Sequence, residues 1–247
     1  MSVPVASAFA FLLVLLRTTG LFVSAPVLSA RVVPARPRLA FAVVVAFAAY
    51  CGAGAPRAPV PEHLGAFAGA AAAECAFGVL AGLSARFILL SALSAGHLAS
   101  LSMGMGYGAL LDPSSGAESN AAAELLYTVA QAGAVALGIH REAVAWLARS
   151  VLAFPPGVAL SLRELAVRVI WDSTGAAALG ARLAFPMLAA VFIGHLVMAV
   201  LGRTASQLNL RTLGFSVAIL AGGGAFYLVA PAAAELAAQA ALKTMTR

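Results

Sequence analysis

A chain of 247 residues that is 62% hydrophobic and only 10% charged cannot cover a globule with polar groups, because an ordinary soluble domain carries about 25% charge. Lipid or other protein must cover it, which puts it in the integral membrane or membrane-embedded class. The formal net charge of +6 comes from scattered arginines, without the dense basic patch that nucleic-acid binding needs.

The first apolar run covers residues 3–28. Its start resembles the core of a signal peptide, but Arg17 follows the apolar residues instead of a basic group preceding them, so the segment is expected to be kept. Arg31, Arg36 and Arg38, with Pro34 and Pro37, break the chain before a second run at 38–55. Proline there forbids a straight helix, and the positive-inside rule places these arginines in the cytoplasm. Residues 55–61 form a stiff proline-rich connector. The run at 64–110 is long enough to hold two spans of about 20 residues. Further runs follow at 121–139, 143–154, 176–201 and 208–242. Pro155-Pro156-Gly157 marks a turn, and Ser161-Leu162-Arg163-Glu164 fits a capping box opening a helix. Ser115 and Glu118 have the same spacing. The pattern predicts an all-α protein of six or so long helices.

Arg17, Glu74, Arg86, Glu124, Arg182 and His195 lie within or beside apolar runs. An ionisable group at the bilayer centre costs about 2.5–3.5 kcal/mol on insertion scales, so such groups face protein or water. They read as inter-helix ion pairs at subunit contacts or as a proton or substrate path. Glu74 and Arg86 are about 18 Å apart along one helix, so each needs a partner from another element. Cys51 and Cys75 read as small buried hydrophobes, with no metal or redox spacing. His63, His97 and His140 show no metal spacing either. The chain lacks a Walker A lysine, an HExxH and a GxSxG, and its only aspartates, Asp112 and Asp172, sit in polar breaks. Neither an enzyme nor a cofactor is expected. A secondary transporter would carry inverted repeats with paired broken helices, which the two halves do not display.

One stretch carries more information than the rest. Met103-Gly104-Met105-Gly106-Tyr107-Gly108 alternates large side chains with glycine, and Asp112-Pro113 then ends the apolar run. Each glycine costs a helix about 1 kcal/mol relative to alanine. Non-helical backbone at membrane depth survives only when buried in protein or lining a water-filled space. Pliable methionines beside glycine suit a compliant plug inside a pore. Close helix packing through small residues is the alternative.

Three blocks give the chain a resemblance to the FliR family of flagellar export-gate proteins, whose injectisome relatives are called SctT. Leu16-Arg17, Ala25-Pro26-Val27-Leu28-Ser29 and Val33-Pro34 with Arg36 and Arg38 resemble its N-terminal signature. Gly96 to Pro113, with Met103, Gly104, Tyr107 and Asp112 in place, is similar to its central segment. Pro186, Arg203, Ala205, Gln207-Leu208-Asn209 and Gly214-Phe215 resemble its C-terminal block. Ser206 and Ser216 stand where that family has proline, Gly106 and Tyr107 where it has serine and phenylalanine, and His195 where it has asparagine.

The resemblance implies a single export-gate domain over residues 1–247, built of membrane-embedded helical hairpins with a re-entrant plug loop at about 103–120. It implies partners: FliP-like and FliQ-like gate subunits, an FlhB-like switch protein nearby, unfolded exported proteins and membrane lipid, at the flagellar basal body in the bacterial inner membrane. It assigns the plug to Met103, Gly104, Met105, Gly106, Tyr107, Gly108, Asp112 and Pro113. Arg17, Pro26, Pro34, Arg36, Arg38, Glu74, Arg86, Gln207, Leu208 and Asn209 are the expected subunit contacts. A small-molecule transporter and an injectisome gate subunit are the rival readings.

Overall fold

The computed structural model describes residues 3–27, 34–105, 120–158, 162–204 and 210–246. Among them all regular structure is α-helical: α1 (Val3–Ser24), α2 (Ala35–Gly52), α3 (Leu64–Ser102), α4 (Ala121–Ala136), α5 (Ile139–Ala153), α6 (Leu162–Thr204) and α7 (Leu210–Thr246). Helices α1, α3, α6 and α7 each contain a window long and apolar enough to cross a membrane, and α4 with α5 forms one broken candidate span.

The run at 64–110 builds one helix of 39 residues, not two. It has no proline and no charge cluster to stop it, and its interior glycines are used in packing, as described below. Helix α6 starts fourteen residues before the apolar run at 176, at the position the capping-box spacing indicates. Ser161, the expected cap, lies outside the described residues, as do Ser115 and Glu118. The break between α4 and α5 falls at Leu137-Gly138, ahead of the polar trio His140-Arg141-Glu142. Gly138 has φ +86°, a left-handed conformation that glycine adopts without a Cβ penalty.

The chain divides into two compact units. The first comprises residues 1–87, 135–173 and 240–247. In it α1 and α2 form a hairpin closed by aromatic pairs: Phe11 with Phe47 and Tyr50, and Phe22 with Phe41. The Tyr50 hydroxyl donates to the Ser7 carbonyl at 3.3 Å. Phe9, Leu13, Val14, Ala46, Tyr50 and Val151 make one core cluster. Each fully buried large side chain of this kind contributes about 1.5–3 kcal/mol. The connector after α2 forms no regular structure, and Ala55 at its start has φ +52°. Its Ala58 is buried, and its N–H donates to the Ala6 carbonyl at 3.4 Å.

The second unit comprises residues 88–134 and 174–239. Its core is an alanine ladder: Ala92, Ala95 and Ala99 on α3, Ala123 and Ala130 on α4, and Ala230, Ala233, Ala234, Ala237 and Ala238 on α7. The three-and-four spacing places these residues on one stripe per helix, and their small size lets backbones approach closely.

Candidate functional site

The glycine-alternating stretch begins where α3 ends, and the mode of ending is specific. Gly104 has φ +80°. Its N–H donates to the Leu101 carbonyl at 3.0 Å, and the Met105 N–H donates to the Ser100 carbonyl at 3.1 Å. This pair of bonds around a left-handed glycine is a Schellman cap, which satisfies carbonyls that the helix end would otherwise orphan. The first glycine of the series is therefore a helix stop.

Met103, just before it, is 3% exposed. Its side chain lies in a notch on α7 made by the absence of a side chain. A Cβ on Gly222 would come 2.5 Å from Met103 Cγ, 2.8 Å from its Sδ and 2.7 Å from Val191 Cγ2. The notch exists only because residue 222 is glycine. Met105, two residues on, is 49% exposed. Leu101, Ser102, Met103 and Gly104 line a cavity of about 250 Å³ with His195, Gly214 and Ala218.

The far side of the same connection is also held. Asn120 caps α4: its Oδ1 accepts the Ala123 N–H at 3.3 Å, and its Nδ2 lies 3.4 Å from His97 Nδ1 on α3. Just below, α3 and α4 meet backbone to backbone, since a Cβ on Gly96 would fall 2.4 Å from Ala123 Cα. The described residues on either side of positions 106–119 thus form an anchored neck, held at Met103-Gly104 and at Asn120. Of the expected plug residues, Met103 and Gly104 belong to that neck and Met105 to its exposed rim. Gly106, Tyr107, Gly108, Asp112 and Pro113 lie outside the described residues.

The expected subunit contacts fall into different settings. Gln207, Leu208 and Asn209 lie outside the described residues. Pro34 and Arg36 are exposed, Arg38 and Arg86 are partly buried, and Pro26 is buried. Arg17 and Glu74 differ most from expectation. In place of a neighbouring subunit, the structure gives each the other as partner within the chain.

Arg17 is 0% and Glu74 1% exposed. Arg17 Nε donates to Glu74 Oε2 at 2.7 Å. Its Nη1 donates to the Ser150 carbonyl at 2.9 Å and to Ser150 Oγ at 3.3 Å, and its Nη2 donates to the Phe154 carbonyl at 3.0 Å. The guanidinium also lies 5.0 Å from the centre of the Phe77 ring, which stacks on Trp146. Glu74 Oε1 in turn accepts the Gly157 N–H at 3.3 Å. One residue of α1 is thereby tied to α3, to the C-terminal end of α5 and to the turn after it. The site suits a cation, because the last carbonyls of α5 carry the negative end of the helix dipole. The carboxylate balances the charge in a space closed to water.

The same helix pair shows what the sequence reading missed. A Cβ on Gly78 would stand 2.0 Å from the Arg17 carbonyl oxygen, one on Gly20 2.4 Å from the Cys75 carbonyl oxygen, and one on Gly82 2.1 Å from Ser24 Oγ. Gly78 and Gly82 are spaced as GxxxG, the small-residue signature of close helix contact, and that spacing was there to be read. The tight contact brings α1 near enough for Arg17 to reach Glu74.

With this arrangement described, comparison with known proteins gives it a family. The model of the bacterial export proteins, family 1, matches residues 8–244. The chain is 25% identical over 191 residues to the flagellar biosynthetic protein FliR of Caulobacter vibrioides, covering 77% of this chain and 76% of that protein. It is 25% identical over 217 residues to FliR of Bacillus subtilis, covering 85% and 82%. For FliR of Escherichia coli it is 26% over 212 residues, covering 84% and 79%. The chain belongs to the bacterial export proteins of family 1, the FliR family.

Proposed function

We propose that this chain is a structural and gating subunit of the flagellar protein export apparatus, in which the segment from Met103 to about Asn120 seals a protein-walled passage for unfolded subunits. The observation that supports it most is the anchored neck. Helix α3 stops inside an apolar run at a glycine cap, with Met103 seated on Gly222 and the return point fixed at Asn120. A connection held at both ends but rich in glycine between them can close a passage and give way without unravelling the helices that carry it.

FliP-like and FliQ-like subunits are the proposed companions, with an FlhB-like switch protein nearby, in the bacterial inner membrane at the flagellar basal body. Pro34, Arg36, Arg38, Arg86 and the Gln207-Leu208-Asn209 block are proposed to meet them. Arg17 and Glu74 act instead inside the chain, shaping the surface that the companions meet. The work of such a subunit is positional, so no bond-making step is assigned to any side chain.

Replacing Met103, Met105 and Tyr107 together by alanine tests the seal. The complex should assemble with FliP-like and FliQ-like subunits while ion and small-solute leakage across the membrane rises. Parent-level leakage from an intact complex would remove the sealing role.

A further inference from the structure

Two prolines sit inside the long helices of the second unit, about one helical turn apart in height. Pro186 is inside α6 and Pro231 inside α7. The two helices run antiparallel in contact: a Cβ on Gly222 would meet Val191, and one on Gly194 would meet Ala221 and Val217. Following both helices outward from these contacts, turn by turn, brings Pro186 level with Tyr227 and Arg182 level with Pro231.

A proline has no N–H, so the carbonyl four residues before it loses its helical donor. Those carbonyls belong to Arg182 and Tyr227, the same residues that stand level with the prolines on the facing helix. All four residues are exposed. Phe185 and Leu228 stand beside them at 70% and 77% exposure. The Arg182 guanidinium forms no ion pair among the described residues. It is also the only Lys, Arg, Asp or Glu between Asp172 and Arg203, about 15 Å along the helix from the first and about 31 Å from the second. One turn of the hairpin therefore offers a cation, a phenol and two carbonyls deprived of donors, set among large apolar side chains.

Hydrocarbon answers none of these groups. A lipid phosphate would answer the guanidinium but supplies no donor to the carbonyls, and it would hold Phe185 and Leu228 at the polar headgroup level. A protein helix can answer all of them together. We infer that this belt is a docking surface for a membrane-embedded helix of another subunit, with a carboxylate opposite Arg182 and hydroxyl or amide donors opposite the freed carbonyls. The inference rests on reading the chain as one member of an assembly, and it adds where and by what chemistry a neighbour is held.

The test uses the intact membrane complex with a photoreactive residue in place of Phe185 or of Leu228. The expected adduct maps to an apolar segment of another subunit within two helical turns of an Asp or Glu. Arg182→Glu should lower recovery of the complex at least tenfold, Arg182→Lys should retain most of it, and an acid-to-arginine change at the mapped position should restore Arg182→Glu. Adducts with lipid alone would overturn the inference, as would parent-level recovery of the Arg182→Glu complex. The site is exposed, so the protease-digestion pattern of the variant chain should match the parent. If it does not, Arg182→Gln takes its place, and unchanged recovery there overturns the inference equally. Recovery of the complex is read separately from leakage, so the docking surface and the seal can each fail alone.

Discussion

Glu74→Ala is the sharpest test of how the first unit holds together. The substitution leaves the Arg17 guanidinium buried at 0% exposure, still facing the Ser150 and Phe154 carbonyls but without its counter-charge. It also strips the Gly157 N–H of its acceptor. Removing one partner of a buried ion pair costs about 3–5 kcal/mol, mostly the penalty of the charge left behind. At about 2–4 °C per kcal/mol for a chain of this length, the unfolding midpoint should fall by roughly 6–20 °C. Arg17→Met combined with Glu74→Leu removes both charges and leaves the Phe154 carbonyl and the Gly157 N–H unmet, at about 1–3 kcal/mol each. The double variant should therefore lose less than the two single losses added together. Thermal unfolding in detergent, followed by the fluorescence of Trp146 in a Trp171→Phe background, reads the event locally, because Trp146 stacks on the Phe77 ring beneath the guanidinium. Strictly additive single losses, or a Glu74→Ala loss under about 1 kcal/mol, would show that water reaches the pair and that the clasp is not what joins α1 to α5.

Gly78→Ala should cost about 2–3 kcal/mol in the same assay, because its Cβ would overlap the Arg17 carbonyl oxygen and backbone cannot step aside. Gly69→Ala, on the same helix with nothing within 4 Å, should gain about 1 kcal/mol instead. Gly222→Ala should destabilise, and Met103→Ala should relieve most of that loss if the methionine is what fills the notch, as a double-mutant cycle would reveal. Gly104→Ala places a Cβ at φ +80° and should cost about 1–2 kcal/mol, seen as faster amide exchange over the last turn of α3.

The membrane class, the all-α fold and most helix boundaries were legible because proline, glycine and charge punctuate an otherwise uniform apolar background. The 64–110 run was harder, since Gly78, Gly82 and Gly96 look like helix breakers by propensity. Their role depends on what lies opposite, and only the fold puts the Arg17 carbonyl, Ser24 and Ala123 there. Gly104 reads as a breaker and is one, because its neighbours supply cap bonds instead of a facing helix. The buried charges misled for a related reason. An arginine and a glutamate 57 residues apart carry no local sign of pairing, so a partner in another subunit was as good a guess as one in the chain.

The ionisable groups inside the apolar runs are held in two ways, which bears on why this chain needs company. In the first, Arg17 and Glu74 are folded inward and neutralise each other. In the second, Glu124, Arg182 and His195 are exposed on helices whose outer faces also carry Phe185, Phe192, Leu196 and Tyr227. Helix length shows that lipid alone cannot cover those faces. At 1.5 Å per residue the 39, 43 and 37 residues of α3, α6 and α7 extend about 58, 64 and 55 Å, against a hydrocarbon core of about 30 Å. Tilt shortens a helix along the membrane normal only by its cosine, and an average tilt of about 20° leaves each more than 50 Å tall. A large part of every such helix must then stand outside hydrocarbon while still presenting apolar side chains. Water does not tolerate that surface and lipid does not reach it, which leaves other protein subunits to cover it.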